Sequence, residues 1–182
     1  MSGAAGLVVR ASTPADVATI AAIYGHHVVH GLASFEREPP TVAEMAARRR
    51  ALLDSGYPQL VAVNADGAVI GFAQAGVYRP RAAYRHTVEN TVYVAPEAAR
   101  RGVGRVLLAA LIEDCAARGF RRMIAVVGDS ANSASIGFHE SLGFRRVGTL
   151  RSVGYKFDRW VDSVILQRPL GDGDRTPPGV AG

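Results

Sequence analysis

The chain has 182 residues, of which 48% are apolar, so it can bury the core of one domain without disulfides or a structural metal. Its formal net charge of +5 does not indicate nucleic-acid binding, because all of its 21 basic residues except Lys156 are arginines, scattered along the chain. No apolar run reaches membrane-spanning length and the N-terminus lacks the pattern of a secretory signal. We therefore expect a cytoplasmic protein without nucleic-acid or membrane partners.

The N-terminal third predicts one strand and two helices. Residues 7–10 are apolar and suit a strand. Thr13, Pro14 and Asp16 have the types expected for the N-cap, the first position and the first turn of a helix. A second helix is predicted over 42–53.

The middle of the chain predicts a hairpin and a third strand. Apolar runs at 60–63 and 69–75 flank the turn sequence Asn-Ala-Asp-Gly at 64–67, and 87–94 is a further strand. The intervening loop, 78–85, is too rich in arginine for a core and too long for a tight turn. We expect it to be functional.

The remaining elements complete a single domain over 1–170. Cys115 is the only cysteine and lies on the apolar stripe of a predicted helix, so we expect it to be buried and inert. Residues 171–182 have little apolar content and predict a disordered tail. The predicted elements are a helix at 105–118, a strand at 123–127, a helix at 132–142, and strands at 144–150 and 161–167. The order predicts an α/β domain with a mixed sheet.

A candidate phosphate-binding loop, Arg100-Arg101-Gly102-Val103-Gly104-Arg105, joins a strand to a helix. A helix N-terminus leaves backbone N–H groups unpaired, glycines permit close approach, and arginines add positive charge. Taken alone, the loop also fits a glycine-eased turn with solvated arginines. The Walker and three-glycine dinucleotide signatures are absent, which excludes those two nucleotide sites.

The loop resembles the acetyl-CoA site of the Gcn5-related N-acetyltransferase (GNAT) superfamily. Its pattern Gln/Arg-x-x-Gly-x-Gly/Ala fits except at Ala99, and residues 132–144 match the Asn-x-x-Ala/Ser...Tyr-x-x-x-Gly-Phe segment. The resemblance implies a GNAT-type single α/β (α+β) domain, with a mixed, mostly antiparallel sheet flanked by helices. Acetyl-CoA is the implied cofactor. The implied cofactor-binding residues are Val92, Tyr93, Val94, Arg100, Arg101, Gly102, Val103, Gly104, Arg105, Asn132 and Ser135. A plain N-cap remains the alternative for Asn132.

Three further segments resemble one group of that superfamily, the phosphinothricin and methionine sulfone or sulfoximine N-acetyltransferases. Residues 84–94, with Gly-Thr-Leu at 148–150 and Gly-Tyr-Lys...Trp at 154–160, fit that group. The resemblance implies a small amino-acid-like amine as acceptor and a homodimer. A protein N-terminus or an aminoglycoside as acceptor, and a noncatalytic coenzyme A-binding module, are the alternatives.

Two residues are candidates for proton transfer. An amine must lose a proton before it attacks a thioester, and the resemblance assigns that base to Glu89, a carboxylate in an apolar strand. Its alternative is an ion pair with Arg81 or Arg85. His139 holds the place of a tyrosine thought to protonate the departing thiolate, with a purely structural histidine as the alternative.

Several further residues are candidates for binding the acceptor. Arginine presents bidentate donors to a carboxylate, phosphinate or sulfone. The candidates are Phe35, Arg79, Arg81, Arg85, Glu89, Asn90 and Thr91. No metal site is expected from the spacing of His, Cys, Asp and Glu, and the Gly-x-Ser-x-Gly elbow of serine hydrolases is absent. Direct attack in a ternary complex is the expected mechanism.

Overall fold

Residues 6–178, which the computed structural model describes, contain one sheet of seven strands. The strands are β1 (Val8–Ala11), β2 (Gln59–Val63), β3 (Val69–Val77), β4 (Thr87–Val94), β5 (Arg122–Gly128), β6 (Arg145–Lys156) and β7 (Arg159–Pro169). Their order is β1-β2-β3-β4-β5-β7-β6, and every neighbouring pair is antiparallel except β4–β5. The predicted mixed, mostly antiparallel sheet is confirmed.

The helices of this part of the chain are close to the predicted ones. They are α1 (Val17–His30), α2 (Val42–Asp54), α3 (Val103–Ala117) and α4 (Ser133–Glu140), with short 3₁₀ turns at Pro14–Asp16, Ala82–Tyr84 and Pro96–Ala98. The first predicted helix begins as one of these turns, closed by a capping box between Thr13 and Asp16. The Thr41–Glu44 pair caps α2 in the same way.

Strand β6 is longer than predicted, since it continues to Lys156 instead of ending at residue 150. A two-residue turn, Phe157 and Asp158, joins it to β7, and both residues have positive φ (50° and 55°). Such turns twist with the strands they join, so pairing persists to Lys156 and Arg159. Their sequence gives no glycine or asparagine signal, so the extension was not predictable.

Helices cover both faces of the sheet. Successive residues of β3 show this, because their side chains point alternately to the two faces. A Cβ on Gly71 would contact Leu107 and Val103 of α3. The next residue, Phe72, instead lines a cavity together with Tyr24 of α1 and Met45 of α2. On the α3 side Cys115 is buried, and burial raises the pKa of its thiol to about 12. Its thiol therefore stays protonated, as expected of an inert cysteine.

A disordered tail was predicted over 171–182, and this stays a prediction; of these residues, 171–178 are described and lie in turns and bends near β5. Asp172 and Asp174 approach Arg121 and Arg122 at 3.5 and 3.3 Å, and Arg121 also donates to the carbonyl of Pro177. Charge pairing replaces the missing apolar contacts there. Residues 1–5 and 179–182 lie outside the described residues.

None of the helices within residues 6–178 has both the length and the apolar character needed to cross a membrane. In the same residues, no group of three or more His, Cys, Asp or Glu side chains is arranged to hold a metal ion.

Candidate active site

Strands β4 and β5 form an opening in the sheet, because they pair only at residues 87–89 and 122–124 and then separate. The Ala95 N–H bonds to Ile70 O beside β3, so by alternation the backbone groups of Asn90, Val92 and Val94 point to the other side, into the opening. The opening therefore exposes strand backbone that lacks a neighbouring strand.

Two details define the polar groups at this opening. The Val94 carbonyl accepts a hydrogen bond from His27 Nε2 at 2.8 Å, so that acceptor is already used. Asn90 is buried, and its Nδ2 has no hydrogen-bond partner among the described residues. An unpaired buried amide costs stability unless a ligand or water satisfies it.

The predicted phosphate loop lies at the start of α3. Arg100 and the N-cap Gly102 have φ of 61° and 81°, and no side chain of the described residues caps the first turn. A Cβ on Gly102 would meet nothing within 4 Å. Free amide groups, open space and the exposed Arg101 make this turn suitable for a phosphate. Arg105, by contrast, donates to Ser141 Oγ at 3.0 Å.

Helix α4 carries the next predicted residues. Asn132 is its N-cap and accepts from the Ser135 N–H at 3.1 Å, which confirms the capping role and leaves the amide nitrogen for a ligand. His139 is buried, and its Nδ1 donates to the Ser135 carbonyl at 2.8 Å. Burial lowers the pKa of His139, although that hydrogen bond opposes the shift. A neutral ring with the proton on Nδ1 leaves Nε2 as an acceptor.

A cavity of 410 Å³ lies beside the opening and holds many of the predicted residues. Those that line it are Phe35, Glu89, Asn90, Thr91, Val92, Tyr93, Ser135 and His139. Its volume is in the range of sites for small molecules. The structure thus brings predicted acceptor and cofactor residues together, although Phe35 and His139 lie more than a hundred residues apart in the sequence.

Glu89 lies half-buried in this cavity and has no hydrogen-bond or ion-pair partner among the described residues. Burial raises its pKa, and the positive charge of Arg79 partly opposes the shift. The alternative ion pair with Arg81 or Arg85 is absent from the described part of the chain. The carboxylate is therefore available to a ligand, and its raised pKa suits a group that accepts a proton near neutral pH.

A hydrogen-bond relay on the cavity wall was not anticipated from the sequence. Arg49 Nε donates to Ser12 Oγ, Ser12 Oγ to Gln59 Oε1, and Gln59 Nε2 to Gln74 Oε1, at 2.8, 2.8 and 2.7 Å. Each donor fixes the next group as an acceptor, so Gln74 Nε2 keeps its hydrogens for the cavity that it lines. The available signal was the glutamine in the apolar run 69–75.

A second network, also not predicted from the sequence, lines the same cavity. Tyr24 OH and Arg48 NH1 donate to Glu36 Oε1 at 3.0 and 2.7 Å, and the Tyr24 and Ser34 hydroxyls are 2.9 Å apart. All four residues line the cavity. Burial raises the pKa of Tyr24, so its hydroxyl stays protonated and holds Glu36.

The predicted arginines of the loop 78–85 do not line the cavity. The loop leaves the sheet just beyond the paired residues Gly76 and Glu89. Arg79 stacks on Tyr78, 5.4 Å from the ring centroid, and its charge reaches Glu89. Arg81 and Arg85 are exposed. Their role in acceptor binding stays a prediction.

The chain is similar to known acetyltransferases over most of its length. Residues 26–144 match the model of the Acetyltransferase (GNAT) family. The chain is 52% identical over 170 residues to a phosphinothricin N-acetyltransferase of Alcaligenes faecalis, covering 93% of this chain and 86% of that protein. It is 41% identical over 170 residues to an L-methionine sulfoximine/L-methionine sulfone acetyltransferase of Pseudomonas paraeruginosa, covering 93% and 98%.

A solved structure agrees with these relatives. The crystal structure of a GNAT superfamily phosphinothricin acetyltransferase from Sinorhizobium meliloti, in complex with acetyl-CoA, superposes with a TM-score of 0.93 at 43% identity, covering 97% of this chain and 95% of that one. The family, the fold and the acetyl-CoA cofactor predicted from the sequence are thereby confirmed. The chain belongs to the GNAT family of acetyltransferases.

Proposed function

We propose that the protein transfers the acetyl group of acetyl-CoA to the amine of a small amino-acid-like acceptor, of the phosphinothricin or methionine sulfone or sulfoximine type. The observation that carries the proposal is the half-buried, unpaired Glu89 in a cavity that adjoins the opening beside β4. The names of the two relatives described above specify acceptors of this kind.

The described residues fit acetyl-CoA. The backbone of Val92 and Val94 faces the opening and would hold the pantetheine arm, with Tyr93 between them. The residues 100–105 would hold the pyrophosphate, while Asn132 and Ser135 would border the arm at α4. Beside the arm, Asn90 Nδ2 is a buried donor without a partner among the described residues and is left for the acceptor, as expected where a ligand completes the hydrogen bonding. Acetyl-CoA supplies the activated thioester.

The acceptor amine loses its proton to Glu89, directly or through a water. Its nitrogen then attacks the thioester carbonyl carbon, and the carbon–sulfur bond breaks as the amide forms. A carboxylate whose pKa burial has raised is a stronger base than an exposed one. Backbone N–H groups of β4 facing the opening would stabilise the oxyanion.

We propose for His139 a role other than protonating the departing thiolate, which stays untested. With Nδ1 bonded to the Ser135 carbonyl, Nε2 could donate to sulfur only from the doubly protonated ring, which burial disfavours. The first proton of the acceptor ammonium goes to Glu89 before attack, and the departing thiolate takes up the second proton, which the nitrogen loses as the tetrahedral intermediate collapses to the amide. His139 then serves as a hydrogen-bond acceptor at the cavity wall.

The cavity supports acceptors that carry oxygen atoms. Gln74 Nε2 is oriented by the relay as a donor, and the charge of Arg79 makes the electrostatic potential at Glu89 more positive. A carboxylate, phosphinate or sulfone oxygen would accept from Gln74 Nε2, whereas a hydrocarbon would leave that donor unpaired. Phe35, 40% exposed, offers an apolar surface for the rest of the side chain.

We further propose a homodimer through the hairpin of β6 and β7. Val153, Tyr155, Phe157 and Trp160 expose between 52% and 64% of their surface on neighbouring positions of that hairpin. Exposed apolar patches of this kind commonly mark protein interfaces. Light scattering coupled to size-exclusion chromatography tests this, and a monomer at micromolar concentration would contradict it.

The cytoplasmic location stays a prediction, tested by fractionation of expressing cells.

Release of free thiol from acetyl-CoA, measured with a panel of acceptors, tests the proposed function. The panel holds phosphinothricin, methionine sulfone, methionine sulfoximine, common amino acids, an aminoglycoside and a peptide with a free N-terminus. We expect the highest kcat/KM among the first three. Preference for the peptide or aminoglycoside would overturn the acceptor class, and absence of acceptor-stimulated release would favour a coenzyme A-binding module.

A further inference from the structure

One buried cation lies outside the chemistry above. Lys156 ends β6, is 5% exposed, and is the only lysine of the chain. Its Nζ donates to the carbonyls of Val28, Gly31 and Ser34 at 2.7, 2.9 and 2.7 Å. All three ammonium hydrogens are therefore used, and all three acceptors belong to the end of α1 or to the segment that follows it.

This position requires lysine rather than arginine. Three carbonyls converge on one point, and an ammonium places three donors on a single atom, whereas a guanidinium spreads its donors over a plane. The carbonyls at the C-terminus of a helix also favour a positive charge. The geometry therefore favours the single lysine of the chain over an arginine at this position.

The segment 31–36 forms one wall of the cavity without being a helix or strand. Ser34, Phe35 and Glu36 line the cavity. The backbone of this segment cannot satisfy itself, so its inward carbonyls depend on other elements. Lys156 takes two of them, and Tyr93 OH donates to the Ala33 carbonyl at 3.2 Å.

Two glycines allow the same segment to lie close to the sheet. A Cβ at Gly128 would overlap the Leu32 carbonyl, and one at Gly154 would overlap the Phe35 ring. Gly154 lies two residues before Lys156 on β6. The C-terminal hairpin therefore both anchors the segment and shapes the surface on which Phe35 rests.

We propose that Lys156 is a positioning residue for the acceptor: it holds residues 31–36 so that Ser34, Phe35 and Glu36 form a ready-made wall of the acceptor cavity. This inference rests on the proposed function for the identity of the ligand. Lys156 does not touch the opening between β4 and β5, so it acts on the acceptor and not on acetyl-CoA.

Kinetics of Lys156→Met, Lys156→Arg and the control Arg145→Met test the inference. Methionine keeps an unbranched chain without donors, arginine keeps the charge without the geometry, and Arg145 is an exposed cation at the other end of β6. We expect both Lys156 variants to raise KM for the acceptor about tenfold or more, as loss of hydrogen bonds to buried carbonyls predicts, with KM for acetyl-CoA within about twofold. Arg145→Met should match the wild type.

A purely structural lysine would lower the melting temperature without separating the two Michaelis constants. A folded Lys156→Met enzyme with unchanged acceptor KM, or with both constants raised equally, overturns the inference. If the wild type acetylates no amino acid, the proposed function fails instead. Hydrogen exchange then decides the inference: amides of 31–36 should exchange faster in Lys156→Arg while those of α3 do not, and unchanged exchange in 31–36 overturns it.

If neither variant folds, the single lysine of the wild type supplies the readout. With lysine labelled at the ε-amino nitrogen, the chain gives one side-chain ammonium signal by NMR. A saturating concentration of the acceptor that the wild type acetylates with the highest kcat/KM should shift this signal and slow its hydrogen exchange. No change in the signal would overturn the inference.

Discussion

The two ends of the proposed site differ in the groups that face the ligand, which are backbone at one end and side chains at the other. At the proposed cofactor end, acetyl-CoA would meet backbone groups, those of β4 and of the uncapped first turn of α3, beside exposed arginines. At the proposed acceptor end, the amine substrate would meet side chains, chiefly Glu89, Gln74 and Asn90, whose positions depend on burial and on hydrogen bonds to other side chains. The cofactor end should thus tolerate the loss of side chains and suffer when its backbone is crowded. The acceptor end should behave in the opposite way.

The largest effect is expected at Glu89. Glu89→Gln removes the base but keeps the size of the side chain, so kcat should fall by about 10²- to 10⁴-fold while KM for acetyl-CoA is unchanged. Steady-state rates of thiol release measure both. Glu113→Gln, which changes an exposed acid on α3, is the control and should keep the wild-type rate. Wild-type turnover by Glu89→Gln at neutral pH would remove Glu89 from the mechanism.

The cofactor end is tested by crowding its loop. A Cβ at Gly104 lies 3.6 Å from Phe138 and Val94, which is an ordinary contact, and the two further methyl groups of Gly104→Val should crowd the loop and obstruct the approach of the phosphates. We expect KM for acetyl-CoA to rise about tenfold or more, equivalent to about 1.4 kcal/mol. Arg101→Ala removes only an exposed charge and should change KM by about threefold or less. The reverse order of the two effects would show that side chains dominate there.

The acceptor end is tested by removing one oriented donor. Gln74→Leu keeps a side chain of similar size on β3 but deletes the donor, and it leaves Gln59 Nε2 without its acceptor. Acceptor KM should rise by about 5- to 20-fold, as loss of one or two hydrogen bonds predicts. Gln167→Leu on β7, outside the cavity lining, is the matched control. An unchanged acceptor KM would place the acceptor away from this wall.

The same contrast explains what could be predicted from the sequence. The cofactor end is nearly contiguous, since residues 91–105 carry strand, turn, glycines and helix start in order, and local patterns determine each of these. Gln74 was missed because its orientation depends on Arg49, Ser12 and Gln59, and the Ser12–Gln59 bond alone spans 47 residues of chain. Contacts between residues so far apart in the sequence leave no recognisable pattern in any short stretch of the chain.

Electrostatic reach limited the prediction at the loop 78–85. Arginines were expected to pair with Glu89 or to line the site, but only the charge of Arg79 affects its pKa.

Lys156 was noted as part of a motif without a role, because the three carbonyls that it binds are 122 to 128 residues away.

The smallest expected effect is a change in pH dependence. The charge of Arg79 lowers the pKa of Glu89, which burial raises, so Arg79→Gln should raise that pKa further. The base form of Glu89 would then require a higher pH, and the acidic limb of the kcat profile should move upward. Arg81→Gln, in the same loop, should move it less. A downward shift for Arg79→Gln would contradict the assignment of the limb to Glu89.

The division between the two ends is decided by measuring both Michaelis constants for Gly104→Val and Gln74→Leu in one assay. We expect Gly104→Val to raise KM for acetyl-CoA alone and Gln74→Leu to raise KM for the acceptor alone. If either variant raised both constants by the same factor, the two ends would not be separate sites, and the placement of acetyl-CoA and acceptor on either side of Glu89 would be wrong.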